Sequence, residues 1–199
     1  MINSIGFIGY GNMAQAMIKG ILEKGNYHPH QIHVTSAHPD ELKQKTSKIG
    51  IIPEDNNIKL AQLTDILILS VKPNQYASII NEIKDHIKSN TIIITIAAGQ
   101  SMALTEKRFS HPIKLIRAMP NTPAMVNMGM TALTPNNQMT QNETQEVKAI
   151  FSSFGKASIV PETLMDAVVG ISGSSPAFIF MFIEAMADGA VAAGMPRKQ

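Results

Sequence analysis

Ser4-Ile5-Gly6-Phe7-Ile8-Gly9-Tyr10-Gly11-Asn12-Met13-Ala14 places a short apolar run, a glycine-rich turn and the opening of a helical pattern in direct succession. Ser4 to Ile8 reads as a strand. Met13, Met17, Ile18, Ile21 and Leu22 then recur at spacings of mostly three and four, which predicts a helix over Met13 to Glu23 that ends at Gly25. Gly9 permits the tight turn, Gly11 lets the backbone come close to a bound anion, and Ala14 lets the helix pack tightly on the sheet. Unpaired N–H groups and the positive end of the helix dipole would then face that anion. Read this way, Gly9, Gly11, Asn12, Met13 and Ala14 are candidate contacts for a dinucleotide; the plainer alternative is a structural turn without a ligand.

Working outward, runs rich in Ile, Val and Leu alternate with helical segments, the pattern of strands that cross over through helices into a parallel sheet. Ile32 to Thr35 is a strand, and Pro39, Asp40 and Glu41 sit where a helix N-terminus favours a proline and carboxylates. Ile51-Ile52 is a third short strand. In Asp65 to Val71 the unbroken Ile66-Leu67-Ile68-Leu69 needs no alternation, because a parallel strand is covered on both faces. Pro73 stops it. Tyr76, Ile79, Ile80, Ile83 and Ile87 form a helix stripe, and further strands are expected at Thr91 to Ile96, closed by Ala97-Ala98-Gly99, and at Ile113 to Arg117. Thr140 and Glu143 sign a capping box ahead of Val147, Ile150, Phe151 and Phe154, and Gly155 is expected to end that helix and with it the first domain. The expected class is α/β: a doubly wound, mostly parallel Rossmann-type sheet over residues 1–160, followed by the start of an all-helical domain over 161–199.

Pro176 to Ala193 reads as one long helix, with Gly194 after it and Pro196 opening another. Phe178 to Ile183 is apolar on every side, so this helix should be buried in a larger domain or against a second subunit. Glu184 and Asp188 interrupt the run short of the roughly 20 apolar residues of a membrane span, so no membrane partner is expected.

Composition narrows the function classes. In 199 residues, 17 basic and 15 acidic side chains leave a net charge of +2 without a basic cluster, so a small molecule rather than nucleic acid is the expected partner. The absence of cysteine excludes disulfide scaffolds, thiolate zinc sites and cysteine nucleophiles. Met1-Ile2-Asn3-Ser4 carries no basic region and Gly9 and Gly11 interrupt the apolar run, so a cytoplasmic protein without a signal peptide is expected.

At the end of the second strand an acidic residue would hold the ribose hydroxyls of NAD, but Thr35-Ser36-Ala37-His38 offers hydroxyls and an imidazole. Ser36 and His38 therefore favour NADP, with NAD as the alternative. His28, His30, His33 and His38 crowd one stretch, yet no carboxylate stands at a metal spacing, and a surface connection accounts for them; no metal is expected. Glu184 and Asp188, four apart, form a carboxylate pair that reads more simply as a polar stripe. The GxSxG elbow of a serine hydrolase is absent.

Gly6-Phe7-Ile8-Gly9-Tyr10-Gly11-Asn12-Met13-Ala14, Ser70-Val71-Lys72-Pro73, Ala97-Ala98-Gly99, Arg117-Ala118-Met119-Pro120-Asn121-Thr122-Pro123 and Gly170-Ile171-Ser172-Gly173-Ser174-Ser175-Pro176-Ala177 together resemble the successive motifs of pyrroline-5-carboxylate reductases. The resemblance implies hydride transfer from NADPH or NADH to the C=N bond of 1-pyrroline-5-carboxylate, forming proline. It implies cofactor contacts at Asn57, Val71, Lys72, Pro73, Ala97, Ala98, Gly99, Asn121, Thr122 and Pro123, several of which follow strand ends, where a doubly wound sheet binds its ligands. Ser172, Gly173, Ser174, Ser175, Pro176 and Ala177 are expected to hold the substrate carboxylate through hydroxyls and free N–H groups at the start of the Pro176 helix. A protonated cyclic imine accepts hydride readily, so alignment in a dry pocket is the main task and no general acid is assigned. Three departures stand out. Ser175 replaces the family's usual glycine, Met181 occupies a position where many members carry a hydroxyl, and members continue through further helices that pair two subunits and supply a Gly-Gly-Thr-Thr segment. A homodimer or higher oligomer is implied where the helical domain is complete. Alternatives are another imine or β-hydroxyacid reductase, or a dinucleotide-binding module without turnover.

Overall fold

The computed structural model describes residues 2–198. Eight strands form one sheet in the order β3-β2-β1-β4-β5-β6-β7-β8. β1 (Ile5–Ile8), β2 (Ile32–Thr35), β3 (Ile52–Pro53), β4 (Ile66–Leu69), β5 (Ile92–Thr95) and β6 (Lys114–Met119) are all parallel, and the strand order reverses between β1 and β4. That reversal opens a crevice beyond the carboxyl ends of the strands.

α1 (Asn12–Lys24) and α6 (Gln141–Phe151) cover one face of the sheet, burying Phe7, Met17, Ile68, Ile94, Phe151 and Phe154. The other face packs Leu67, Leu69 and Ile93 against α3 (Asn57–Leu63), α4 (Tyr76–Ile83) and α5 (Met102–Glu106). Residues of β4 point alternately into both layers and all four are fully buried, so an unbroken Ile-Leu-Ile-Leu run is what a strand with two covered faces requires. α2 (Pro39–Ser47) starts with Pro39, Asp40 and Glu41 in its first turn.

The sheet runs beyond the strands expected from sequence. β7 (Gly129–Pro135) returns antiparallel to β6, and β8 (Gly155–Ile159) pairs parallel with β7. The α6 helix therefore does not close this unit. It ends at Phe151, a 3-10 turn over Ser152–Phe154 follows, and Gly155 opens a strand. A Cβ on Gly155 would lie 2.0 Å from the Gly129 carbonyl oxygen, so the glycine there serves the close approach of two strands.

Beyond β8 the chain is helical. α7 (Met165–Val168), a π-helical turn over Val169–Gly173 and α8 (Ser175–Ala192) follow without a break. Residues 197–198 form a turn, and no helix opens at Pro196 among the described residues. No α8 residue is buried, and Phe178 to Ile183 are between 52 and 64 % exposed, so the all-round burial expected of this helix is not met within one chain. The run Glu162–Ala192, 31 residues with a mean hydropathy of 1.5 in its most apolar stretch, is also long and apolar enough to cross a membrane by length and composition. Continuity through the π-turn lengthens the run beyond the uninterrupted apolar stretch of α8.

Buried Arg117 on β6 fastens these helices to the sheet. Its guanidinium meets Glu162 at 3.1 Å and Asp166 at 3.3 Å, and Glu162 Oε1 also accepts the Met102 N–H at 2.7 Å.

Candidate functional site

Gly9 takes φ +96°, a conformation that costs an L side chain, and a Cβ there would lie 2.6 Å from the Ser70 carbonyl oxygen. Ser70 Oγ donates to the carbonyls of Ile8 at 2.9 Å and Gly9 at 2.8 Å, and Gln15 Nε2 donates to the Tyr10 carbonyl at 3.1 Å. The turn is thus held from both sides. Ser70 and Gln15 escaped the sequence reading; Ser70 sits inside a quoted motif, and its place at the end of a buried apolar strand was the available signal.

Helix α1 begins after Gly11 with no side chain capping it and no acidic residue in its first turn. Three other helices are capped by a side chain, Asn56 accepting from Lys59 N ahead of α3, Ser101 from Leu104 N ahead of α5 and Thr140 from Glu143 N ahead of α6, whereas α2, α4, α7 and α8 are uncapped like α1. No atom lies within 4 Å of a Cβ built on Gly11. The open amides and the dipole of α1 therefore face free space able to take an anion such as a diphosphate.

That space is a crevice of about 500 Å³ at the rim of the sheet. It gathers Gly11, Asn12 and Met13, then Val71, Lys72 and Pro73 after β4, Ala97 and Ala98 after β5, Asn121 and Thr122 after β6, and Gly173 from the π-turn. Its walls also include Ser70, Ile96, Met119 and Pro120. The adjoining hollow, about 320 Å³, lies past Gly9 and is lined by Thr35, Ser36, Ala37, Asn57, Val71 and Ile79 among others. Asn57 is oriented there by Thr35 Oγ1, which donates to its Oδ1 at 2.7 Å, and by Glu82, which accepts from its Nδ2 at 2.9 Å. Asn56 caps α3.

Other expected residues fall outside these walls. Ala14 is buried behind the turn, where its small size admits the sheet. Gly99 and Pro123 flank the crevice without lining it. His38 is exposed ahead of α2, and its amide donates to Ser36 Oγ at 3.2 Å. His33 is drawn to Glu54, 2.8 Å away, and no group of three or more His, Asp or Glu side chains is gathered to hold a metal among the described residues.

The serine segment differs most from expectation. It is not the free start of a helix but the junction of the π-turn with α8. Ser174 N–H and Ser174 Oγ both donate to the Val169 carbonyl at 3.0 Å, so neither is free. Ser172 faces Asn121, and of Ser172, Gly173, Ser174, Ser175, Pro176 and Ala177 only Gly173 lines the crevice. Met181 is 64 % exposed on α8, away from it.

Between β4 and β5 the fully buried Tyr76 hydroxyl donates to the Leu69 carbonyl at 2.7 Å and accepts the Ile96 N–H at 3.2 Å. Burial, only partly offset by the Ile96 and Ala97 amides, pushes this phenol up to about 12. It stays neutral and sets the spacing of two strand ends at the crevice.

Comparison with known proteins supplies the family. A family model described as NADP oxidoreductase, coenzyme F420-dependent, matches residues 4–99, and one described as pyrroline-5-carboxylate reductase dimerisation matches 162–199. The pyrroline-5-carboxylate reductase of Escherichia coli is 43 % identical over 199 residues, covering all of this chain and 74 % of that protein. Among solved structures, the pyrroline-5-carboxylate reductase of Coxiella burnetii superposes with a TM-score of 0.90 at 32 % identity, covering 100 % of this chain and 74 % of that one. A Plasmodium falciparum pyrroline carboxylate reductase with NADP bound gives 0.90 at 29 % identity, covering 98 % and 71 %. Uncapped α1, the crevice at the strand reversal and full-length identity of this order agree: the chain belongs to the pyrroline-5-carboxylate reductase family.

Proposed function

We propose that this chain reduces 1-pyrroline-5-carboxylate to L-proline, the last step of proline biosynthesis, with NADPH as donor and NADH as the alternative. The observation that carries the reading is the single crevice joining the uncapped start of α1, the loops after β4, β5 and β6, and Gly173. NADPH supplies the hydride. The chain's residues bind and orient: Gly9 and Gly11 expose the α1 amides to the diphosphate, Lys72 adds a cation at the rim, and Ser36 with Asn57 receives the adenosine end. Ala97, Ala98, Pro120 and Thr122 supply small or rigid walls that let the nicotinamide ring lie close to the backbone. We place the substrate carboxylate toward Gly173 and its serine neighbours, which leaves the imine to be aligned in a space that excludes water.

The same reading divides the chain into a dinucleotide-binding unit, 1–160, and the beginning of a helical dimerisation and substrate unit, 161–199. A second copy of the chain covers the exposed apolar face of α8, giving a cytoplasmic homodimer or higher oligomer. That uncovered face also favours a second reading, in which an isolated chain binds the nucleotide and turns over only once paired. Steady-state NADPH oxidation with pyrroline-5-carboxylate, other cyclic imines and β-hydroxyacids tests the assignment. The proposal expects strong preference for pyrroline-5-carboxylate; faster turnover of another class overturns it, and calorimetric NADPH binding without any turnover selects the second reading.

A further inference from the structure

We propose that Asn121 is a positioning residue: it latches the π-turn to the sheet and thereby sets how the substrate-facing segment meets the cofactor side of the crevice. The inference rests on the function proposed above.

Pro176 sets the local geometry. Proline has no N–H, and in a helix its ring crowds the carbonyl four residues back. That carbonyl belongs to Ser172, which is left without its helical donor. The chain responds by widening, with Ser174 N–H reaching five residues back to Val169. A carbonyl stranded in a partly buried site must find another partner. Asn121 provides it: Nδ2 donates to the Ser172 carbonyl at 3.1 Å and lies 3.3 Å from Ser172 Oγ. At its other end Asn121 Oδ1 accepts the Met130 N–H of β7 at 2.8 Å.

With 9 % of its surface exposed, this side chain thus spends both its polar atoms on protein partners. What remains of its hydrogen-bonding capacity is one lone pair on Oδ1, and the residue lies on the crevice wall. Gly173, next to the latched carbonyl, seats on the last residue of β6, where an added Cβ would meet Met119 Cε at 3.0 Å. Asn121 therefore joins three things: the loop expected to face the nicotinamide, the strand beside it, and the turn expected to face the substrate. A wide helical turn of this kind is stable only while both its causes persist, the missing proline N–H and the asparagine that replaces it.

Two variants test the latch. Asn121→Asp keeps the acceptor for Met130 but removes the donor and sets a carboxylate against the Ser172 carbonyl. Amide hydrogen exchange across residues 169–177 of the nucleotide-free protein should quicken by about 10-fold or more. The kcat should fall roughly 10- to 100-fold with a raised KM for pyrroline-5-carboxylate, while KM for NADPH stays within about 2-fold, because misalignment rather than cofactor binding is affected. Pro176→Ala restores a helical donor to Ser172; exchange over the same residues should slow as the turn narrows. In that background Asn121→Asp should cost far less than in the parent, the non-additivity expected of partners in one network. Unchanged exchange and kcat in Asn121→Asp, or equal costs in both backgrounds, overturns the latch, as does a rise in KM for NADPH alone. Should Asn121→Asp not fold, Pro176→Ala decides by itself: exchange and kcat both like the parent overturn the proposal. Failure of the parent protein to oxidise NADPH with pyrroline-5-carboxylate refutes the proposed function instead, and the exchange measurement still decides the latch.

Discussion

Gly9 and Gly11 differ by two positions in the same turn, yet alanine should act on them in opposite ways. At Gly9 the added Cβ sits 2.6 Å from the Ser70 carbonyl oxygen and 2.8 Å from Val71 Cγ1, on a backbone at φ +96°. Positive φ and overpacking against backbone together give Gly9→Ala a cost of about 2 to 5 kcal/mol, a fall in Tm of roughly 5 to 15 °C in a chain of this size. At Gly11 nothing lies within 4 Å, and φ is −79°, ordinary for any residue. Gly11→Ala should therefore keep stability to within about 1 kcal/mol, the range of helix N-cap exchanges. The new methyl projects into the space proposed for the diphosphate. Holding off even one charge-assisted hydrogen bond, worth about 1.5 to 3 kcal/mol, weakens NADPH binding by roughly 10- to 100-fold. Thermal unfolding and calorimetric titration with NADPH, run on both variants, check this. A Gly11→Ala protein that binds NADPH like the parent, or a Gly9→Ala protein that melts with it, refutes the reasoning.

Glu162→Ala should lower stability by about 2 to 4 kcal/mol in urea unfolding, since it strips a partner from buried Arg117 and from the Met102 N–H, whereas Asp166→Ala, at a residue almost wholly in water, should cost less than about 1 kcal/mol. Asp65 gives a pH dependence: burial pushes its carboxyl up, but the Asn3 amide, Lys88 and Ser4 outweigh it and hold it below the usual carboxylate range. A depressed folded value means that its stabilisation is complete above about pH 4 and is lost as the pH falls through the lower folded value. Asp65→Asn should flatten that acid limb of the stability curve. Ser36→Asp places a carboxylate at the end of β2, where it repels a 2′-phosphate and accepts from ribose hydroxyls. The ratio of kcat/KM for NADPH over NADH should drop about 10-fold or more.

Sequence made the nucleotide side legible because there local chemistry decides structure. A turn that only glycine can make, a strand buried on both faces and helix starts with or without caps are all written within a few residues. β7 and β8 were not legible for a physical reason. Gly129–Pro135 mixes buried threonines with an exposed Met130, and Gly155–Ile159 carries Lys156 and Ser158 on a sheet edge, so neither shows an apolar run. Their pairing is fixed by neighbours distant in sequence. The π-turn was hidden likewise: Pro176 was legible as a helix start, but its effect on the Ser172 carbonyl depends on Asn121, 51 residues earlier. The apolar run of α8 implies burial in a larger domain or against a second subunit, and it is exposed within one chain, because composition reports the surface a helix seeks and not whether that surface belongs to the same chain.

Isotope transfer follows the proposed hydride from nucleotide to product. The protein is supplied with pyrroline-5-carboxylate and NADPH deuterated at the transferable position of the nicotinamide, and the product is read by mass spectrometry. The expected product is proline carrying one deuterium at the former imine carbon, formed in step with NADPH consumed. Oxidation of the nucleotide without labelled proline, or no oxidation by a protein that is folded and paired, would contradict it.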